Sequence, residues 1–393
     1  MTRRALIVGG GIGGLAAGIA CARAGWAARL YEQAPEFSEV GAGLQLGPNA
    51  TRILYAWGLG DAVARVAAVP GQLRIRSAID GAQLGRLRLG TSLGERYGAP
   101  YLTIHRADLQ ALLRDAAAGC GVALNLQSRA SAVRASGPGV VLTLDDGSEA
   151  EGDLLVGADG LWSRVREQVF GDGGPSPTGH LAYRALATQR DLPAALRSQE
   201  VTVWLGPRLH AVAYPVRAGE LLNVVVIVEG RAVGAAHDWD QAAALADLQA
   251  AMGPLCEPLR ALTGAMPGWR LWALHDRAPL HAPGEMARGR IALLGDAAHP
   301  MRPYLAQGAG MAIEDAAELG RSLAIAGASA DSAEVAAALL GYARNRWERC
   351  ARVQARAERN GRVFHATGLL RWGRDWSLRL LGERVLDQPW LYR

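Results

Sequence analysis

The stretch from Arg4 to Gln33 constrains this chain most. A short apolar run, Ala5 to Val8, feeds the turn Gly9-x-Gly11-x-x-Gly14, with Gly13 inside it. A small-residue helix comes next, and a second apolar run ends in an acid, Glu32. Gly9 permits the tight turn, Gly11 lets the backbone approach a pyrophosphate, and Gly14 lets helix and strand pack closely. The helix start offers unpaired N–H groups and a positive dipole end to the same phosphates. Glu32 is suited to a ribose diol, and its charge would repel a 2′-phosphate. The order strand, turn, helix, strand, acid predicts dinucleotide binding over the alternative of a glycine turn that binds nothing, but it does not separate FAD from NAD.

The rest of the composition narrows the class. The chain has 393 residues, half hydrophobic and a fifth charged, enough for two domains of a globular protein. Every basic residue is arginine, the net charge is +5, and no basic block is interleaved with aromatics, so no nucleic-acid partner is expected. Cys21, Cys120, Cys256 and Cys350 lie far apart without metal-ligand spacing. Free thiols in a reducing cytoplasm and no bound metal are the expectation. MTRRALIV resembles the start of a signal peptide, but the glycines after it would break an apolar helix. No continuous apolar run, Val224 to Val228 included, approaches the length of a membrane span, so no integral membrane association is expected.

Glycine and proline punctuation organises the chain beyond Gln33. Gly41 to Ala50 reads as loop leading into a helix at Pro48, with Asn49 to Trp57 helical. Leu73 to Arg88 reads as a hairpin turning at Asp80-Gly81, and Arg106 to Ala118 as an amphipathic helix. Val122 to Leu126, Val140 to Leu144 and Asp153 to Val156 are strand-like, the last opening onto Gly157-Ala-Asp-Gly160. From Leu181 to Glu229 alternating segments predict an antiparallel sheet. Gln241 to Leu262 reads as helix broken near Gly253-Pro254, and Trp269 to Ala273 as strand. Arg290 to Leu294 is a buried strand ending in Gly295-Asp296. Long helices are expected over Ala306 to Ala326 and Ala333 to Arg362, while the tryptophan-rich tail after Gly368 has no assignment. The expected domains are 1–176, carrying inserted strands at about 71–105; a sheet domain at 177–275; a return to the first domain at 276–327; and a helical region at 328–393.

Three glycine-punctuated strand ends, at Gly9, Gly157 and Gly295, suggest one extended cofactor met by several segments, since open α/β sheets bind ligands at strand carboxyl ends. Together with GAGLQLGPNA at 41–50, HRADLQALL at 105–113, GADGLWSRVR at 157–166 and GDAAHPMRPYLAQGAGMAIEDA at 295–316, they resemble the group A FAD-dependent aromatic hydroxylases, the salicylate, 3-hydroxybenzoate and 6-hydroxynicotinate hydroxylases above all. The resemblance runs from Ala5 to about Phe364. It implies an α/β fold: a Rossmann-like FAD-binding domain of the p-hydroxybenzoate-hydroxylase (PHBH) type, an interleaved antiparallel-sheet substrate domain and C-terminal helices. It further implies that Gly9, Gly11, Gly13 and Gly14 hold the FAD pyrophosphate and Glu32 the adenosine ribose. Arg106 and Asp296 would meet the phosphate–ribityl region, Gln45 would cover the flavin, and Ala130 would touch the adenine side. Gly157, Asp159 and Arg164 match a motif associated with both FAD and the nicotinamide cofactor. Gly308, Ala309 and Gly310 open a helix whose positive end would stabilise reduced flavin.

In this family NAD(P)H reduces FAD, O2 adds at flavin C4a, and the hydroperoxide hydroxylates an electron-rich ring. The resemblance favours NADH over NADPH and a small phenolic or hydroxy-heteroaromatic acid, with or without decarboxylation. His210 is the candidate base. Alternation puts it on one strand face with Val212, a pocket residue, and Tyr214, which would orient substrate. A strand histidine or tyrosine in a purely structural role is the plainer alternative. Tyr304 faces substrate by the resemblance, at a position where relatives differ. His299 reads as structural or flavin-proximal. Arg184 and Arg302 could pair with a substrate carboxylate, with a solvated or structural arginine the plainer reading of each. His105, His180, His237, His275, His281 and His365 have no ligand spacing. A natural-product aromatic is the closest alternative substrate, and an amine-oxidase-like flavoprotein oxidase or dehydrogenase the alternative class. A flavin halogenase lacks its GWxWxIP signature here, and a flavin-binding sensor has no supporting feature. Monomer and homodimer stay open.

Overall fold

The computed structural model describes residues 3–37, 42–137, 139–230, 241–327 and 330–393; Gly41 and His237 lie outside them. The chain divides into two compact units. The first comprises 1–39, 109–176 and 276–357; the second comprises 40–108, 177–275 and 358–393. Residues 40–108 are thus grouped with the alternating strands of the second unit, and the division at 357/358 falls inside the helix Ser332–Phe364.

The first unit is built on a six-stranded sheet in the order Ala287–Arg288, Ile291–Leu293, Leu154–Gly157, Arg4–Val8, Ala27–Tyr31, Ala123–Asn125. All strands but the first of these run parallel. Ala5 to Val8 and Leu154 to Gly157 are all buried, as a parallel sheet covered on both faces requires. Val8 stands opposite Gly157, and Gly157 opposite Leu293. The three glycine-punctuated strand ends therefore come level at one edge. The helix Ile12–Arg23 leaves that edge after the first turn, and the helix Gly308–Ala326 packs on it so closely that a Cβ at Gly320 would sit 3.0 Å from Ala20 Cβ. A separate antiparallel sheet pairs Ala130–Ser136, Gly139–Leu144 and Glu149–Gly152; its outer strands carried too few apolar residues to be seen by periodicity.

The second unit holds an eight-stranded sheet in the order Gln241–Ala243, Trp269–Asp276, Ser176–Thr188, Leu221–Glu229, Leu209–Val216, Val201–Gly206, Gln72–Ser77, Gln83–Arg88. One face of Leu209–Val216 sends Leu209, Ala211 and Ala213 into a core with Trp204, Val224, Val226 and the helices Leu245–Met252 and Glu257–Gly264. His210, Val212 and Tyr214 lie on the other face. Two local expectations are corrected, and the tail resolves into helices within the expected helical region. Gly43–Leu46 is a strand, paired with Leu102–His105, where loop was read; glycine content hid it. Gln241–Ala243 is strand, paired with Trp269–Leu271, where helix was read. The tail is helical over Gly368–Leu381, Glu383–Leu386 and Pro389–Tyr392.

Backbone approach sets the first turn. Gly9 has φ +106°, and a Cβ there would lie 2.4 Å from the Ala158 carbonyl oxygen. A Cβ on Gly14 would lie 1.9 Å from the Gly9 oxygen. Gly14→Ala should therefore cost about 3 kcal/mol or more through an overlap that backbone cannot relieve cheaply. Thermal melting of the apoprotein checks this; an unchanged melting point would contradict it.

Candidate active site

The first turn and its helix provide an anion cradle. Gly11 caps the helix Ile12–Arg23 with no side-chain hydrogen bond, and the first turn of that helix contains no acid. A Cβ on Gly11 would meet nothing within 4 Å. The protein's own packing therefore explains the glycines at 9 and 14 but not the one at 11, and open space over orphan N–H groups suits a pyrophosphate. Gly13 packs inward, its would-be Cβ 2.8 Å from Leu294. Glu32 braces the turn: its carboxylate accepts from Gly10 N at 2.5 Å and Ala34 N at 2.8 Å. Gln110, inside the HRADLQALL motif but not singled out there, donates to the Gly10 carbonyl at 3.1 Å. Ala130 is buried in the separate three-stranded sheet.

At the second strand end, Asp159 accepts from Ser163 Oγ at 2.5 Å and Val165 N at 3.1 Å. Burial raises its carboxyl above the usual range, while those two bonds oppose the shift. Its side chain thus shapes the start of the helix Arg164–Phe170, with Ser163 as N-cap. Two residues past Arg164, Arg166 reaches the third strand end: its Nη1 donates to the carbonyls of Ala297 at 3.1 Å and Ala298 at 2.5 Å, and Asp172 pairs with the same guanidinium. The second and third motifs are tied together by this one buried arginine, which could be singled out in the sequence only by its place in GADGLWSRVR.

The third strand end is held by a buried charge network. Asp315 accepts from Gly295 N at 3.0 Å, from His299 Nε2 at 2.5 Å and from Arg346 Nε at 2.7 Å. Arg346 and Arg349 both donate to Glu314, at 2.7 Å and 2.6 Å. Burial alone would push Asp315 up; His299 and Arg346 reverse that and hold it well below the carboxylate range. Burial likewise works against charge on His299, but its neighbours Cys350 and Asp315 raise it well above the ordinary imidazole value. Burial pushes the Cys350 thiol itself up, so Asp315 is the carboxylate that carries the ion pair. His299 is thus a structural anchor. Within this buried frame Asp296 stays exposed, with Oδ1 4.0 Å from a would-be Cβ on Gly308. Gly308, Ala309 and Gly310 form the first turn of the helix Gly308–Ala326, which has no acid there and no side-chain cap. Tyr304 is buried in the preceding short turn, and Arg302 is paired with Asp276 at 2.6 Å, the structural reading of that arginine.

The remaining site residues belong to the second unit. Arg106 opens the helix Arg106–Gly119, its N–H donating to Ala42 O at 2.8 Å. Gln45 accepts from Tyr101 Oη at 2.5 Å and also hydrogen-bonds Tyr214. A Cβ on Gly43 would strike the Tyr214 ring at 2.5 Å, so glycine there admits the tyrosine. Burial pushes the Tyr214 hydroxyl up; the charge of Arg184 and the bond to Gln45 oppose it. Cross-strand register puts Arg184, Val225 and Val212 in one row of the sheet, flanked by the rows containing Tyr214 and His210. Arg184 lies over the Trp272 ring at 3.2 Å. His210 is buried, with Nδ1 2.9 Å from His365 Nε2. Burial first, then His365 and His180, push its pKa well below the usual imidazole value. His365 Nδ1 lies 3.9 Å from Glu229, and ligand-type atoms of His180, Glu229 and His365 all fall within 4.8 Å of one another. Linear spacing could not have revealed that convergence.

Parallel strands with three glycine turns at one edge, an uncapped helix over open space at Gly11 and a second helix start beside Asp296 are the features of a dinucleotide-binding protein. The chain belongs to the FAD-dependent aromatic hydroxylases: the family model described as FAD binding domain matches residues 2–357. It is 38% identical over 392 residues to 3-hydroxybenzoate 6-hydroxylase of Polaromonas naphthalenivorans, covering 98% of this chain and 95% of that one. It is 37% identical to 6-hydroxynicotinate 3-monooxygenase of Bordetella bronchiseptica, covering 98% and 96%. Among solved structures it is similar to Klebsiella pneumoniae HpxO complexed with FAD and uric acid, with a TM-score of 0.85, 26% identity, and coverage of 98% and 94%. The protein is a flavoprotein monooxygenase.

Two substitutions test this arrangement. Gly11→Ala should leave apoprotein melting unchanged and weaken FAD binding tenfold or more, about 1.4 kcal/mol, in a flavin fluorescence titration; equal affinity would mean the space over Gly11 holds no phosphate. Arg346→Met should cost about 3–5 kcal/mol, because Glu314 and Asp315 lose a buried counter-charge. Melting checks it, and a neutral effect would show that the network does not hold the strand end.

Proposed function

We propose that the protein hydroxylates a small phenolic or hydroxy-heteroaromatic ring bearing a carboxylate, using O2 and NADH. The observation that carries this reading is the sheet face on which His210, Val212, Tyr214 and Arg184 occupy three successive rows. When bound, FAD supplies the reduction of O2 and the transfer of one oxygen atom to the ring. The chain's own groups prepare that ring. The neutral imidazole of His210 accepts the phenol proton, which makes the ring electron-rich, and its hydrogen bond to His365 fixes the ring plane and tautomer. Tyr214, held by Gln45, hydrogen-bonds the substrate oxygen, Arg184 attracts the carboxylate, and Val212 supplies apolar floor. Tyr304 tunes which ring is accepted. Relatives that act on 3-hydroxybenzoate and 6-hydroxynicotinate support the substrate class. Decarboxylation accompanies hydroxylation only where the carboxylate sits on the attacked carbon.

FAD-loaded protein with NADH should consume O2 faster when a hydroxylated aromatic acid is added, and the product should carry one more oxygen. Flavin reduction by substrate without NADH would instead make it an oxidase. His210→Ala should lower coupled hydroxylation about 10²–10⁴-fold while FAD stays bound. Because burial depresses the His210 pKa, the accepting form persists as pH falls, so the acid limb of kcat/KM should lie below the ordinary imidazole range. Unchanged coupled turnover in His210→Ala would remove the histidine from the reaction.

A further inference from the structure

Six of the exposed large apolar side chains, Leu369, Leu370, Trp372, Trp376, Leu380 and Leu381, lie on the single 14-residue helix Gly368–Leu381. At 3.6 residues per turn, Leu369, Trp372, Trp376 and Leu380 form a stripe about 80° wide. Leu369 is 88% exposed, Leu380 74% and Trp372 63%. The opposite side is what the protein holds. Leu378 enters a small core with Ile75, Leu84 and Leu205. Arg374 donates to the last carbonyls of the long helix, Val363 at 3.2 Å and Phe364 at 2.6 Å, and is paired with Asp375. The helix is therefore anchored by a leucine and a capping arginine, with its tryptophans turned outward. That reverses the usual amphipathic arrangement.

A cleft of about 480 Å³ runs beside this stripe, lined by Arg86, Arg88, Leu378, Arg379 and Glu383 among others. Alternation along Gln83–Arg88 turns Arg86 and Arg88 outward. Of the acids nearby, Asp375 pairs with Arg374 at 2.8 Å and Asp387 with Arg96 at 2.5 Å, while Glu383 lines the cleft itself and accepts from Arg88 N at 3.2 Å. Asp80 lies within electrostatic reach of Arg379. Arg379 belongs to both the cleft and the helix, so the positive rim is continuous with the apolar stripe. Two copies meeting here would bring arginine against arginine, which like-charge repulsion disfavours. A surface with phosphates at its rim and acyl chains beneath complements both parts.

We propose that this helix and its arginine cleft dock the protein peripherally on an anionic lipid bilayer. The tryptophans and leucines enter the headgroup–acyl boundary, while Arg86, Arg88 and Arg379 meet lipid phosphates. Docking of this kind requires no membrane-spanning segment, and no helix among the described residues is long and apolar enough to cross a membrane.

The test uses the full chain loaded with FAD and sedimented with vesicles of phosphatidylcholine alone or mixed with phosphatidylglycerol. Binding is expected to the mixed vesicles and to fall with added salt. Trp372→Ser with Leu380→Ser should abolish it, and Arg86→Gln and Arg379→Gln should each weaken it about fivefold; retained flavin absorption reports that each variant is folded. Equal binding to both vesicle types overturns the arginine assignment. No vesicle binding, together with a dimer in light scattering that Trp372→Ser dissociates, overturns the proposal in favour of a second copy on this face.

Discussion

Three parallel strands end level with one another, and the glycine turns of the first unit inherit their positions from that register. Val8 stands beside Gly157 and Gly157 beside Leu293, so the turns that begin at Gly9, Ala158 and Leu294 start at one height. Hydrogen bonding within the sheet fixes that height to a fraction of a residue, since a slip of one residue would reverse every side chain. The rest is fastening. Gly9 and Gly14 allow the first turn to close on itself, Arg166 ties the second strand end to the third, and Asp315 clamps Gly295 and His299 against the helix Gly308–Ala326.

The fastening is costly to build and hard to lose. Asp315, Glu314, Arg346 and His299 are all buried, and charges in such a place are tolerated only when each is matched. Here the matching is nearly complete: each carboxylate has more than one donor, and the arginine spans both acids. Such a network specifies one arrangement of the turn below Asp296, because a shift would leave a charge without its partner. It leaves Asp296 as the exposed carboxylate at the strand end.

Much of this was legible in the sequence because the carriers are local. Glycines at fixed offsets after an apolar run report a strand-to-helix turn, and three such turns pointed to one ligand. The alternation His210, Val212, Tyr214 put these three side chains on one face of a strand, Leu209–Val216. What could not be read depends on partners distant in the chain. Gly43–Leu46 is a strand because Leu102–His105 lies beside it, and its glycine is demanded by the Tyr214 ring. Arg346 looked like any other polar residue of an amphipathic helix, and Arg166 and Gln110 stood inside quoted motifs without a sign of the partners they would meet. His365 gained its place beside His210 from the residue just past a 33-residue helix. The tail was expected to be helical but without assigned elements, and its apolar stripe faces outward where such a stripe normally marks a buried face.

The central claim is that the level strand ends seat one flavin dinucleotide per chain. Titrating apoprotein with FAD, and separately with NAD, tests it most directly through flavin fluorescence and visible absorption. Saturation at one FAD per chain, with no competition from NAD at similar concentration, is the predicted result. A colourless protein that takes up no FAD, or one that prefers NAD at the same site, would contradict the account.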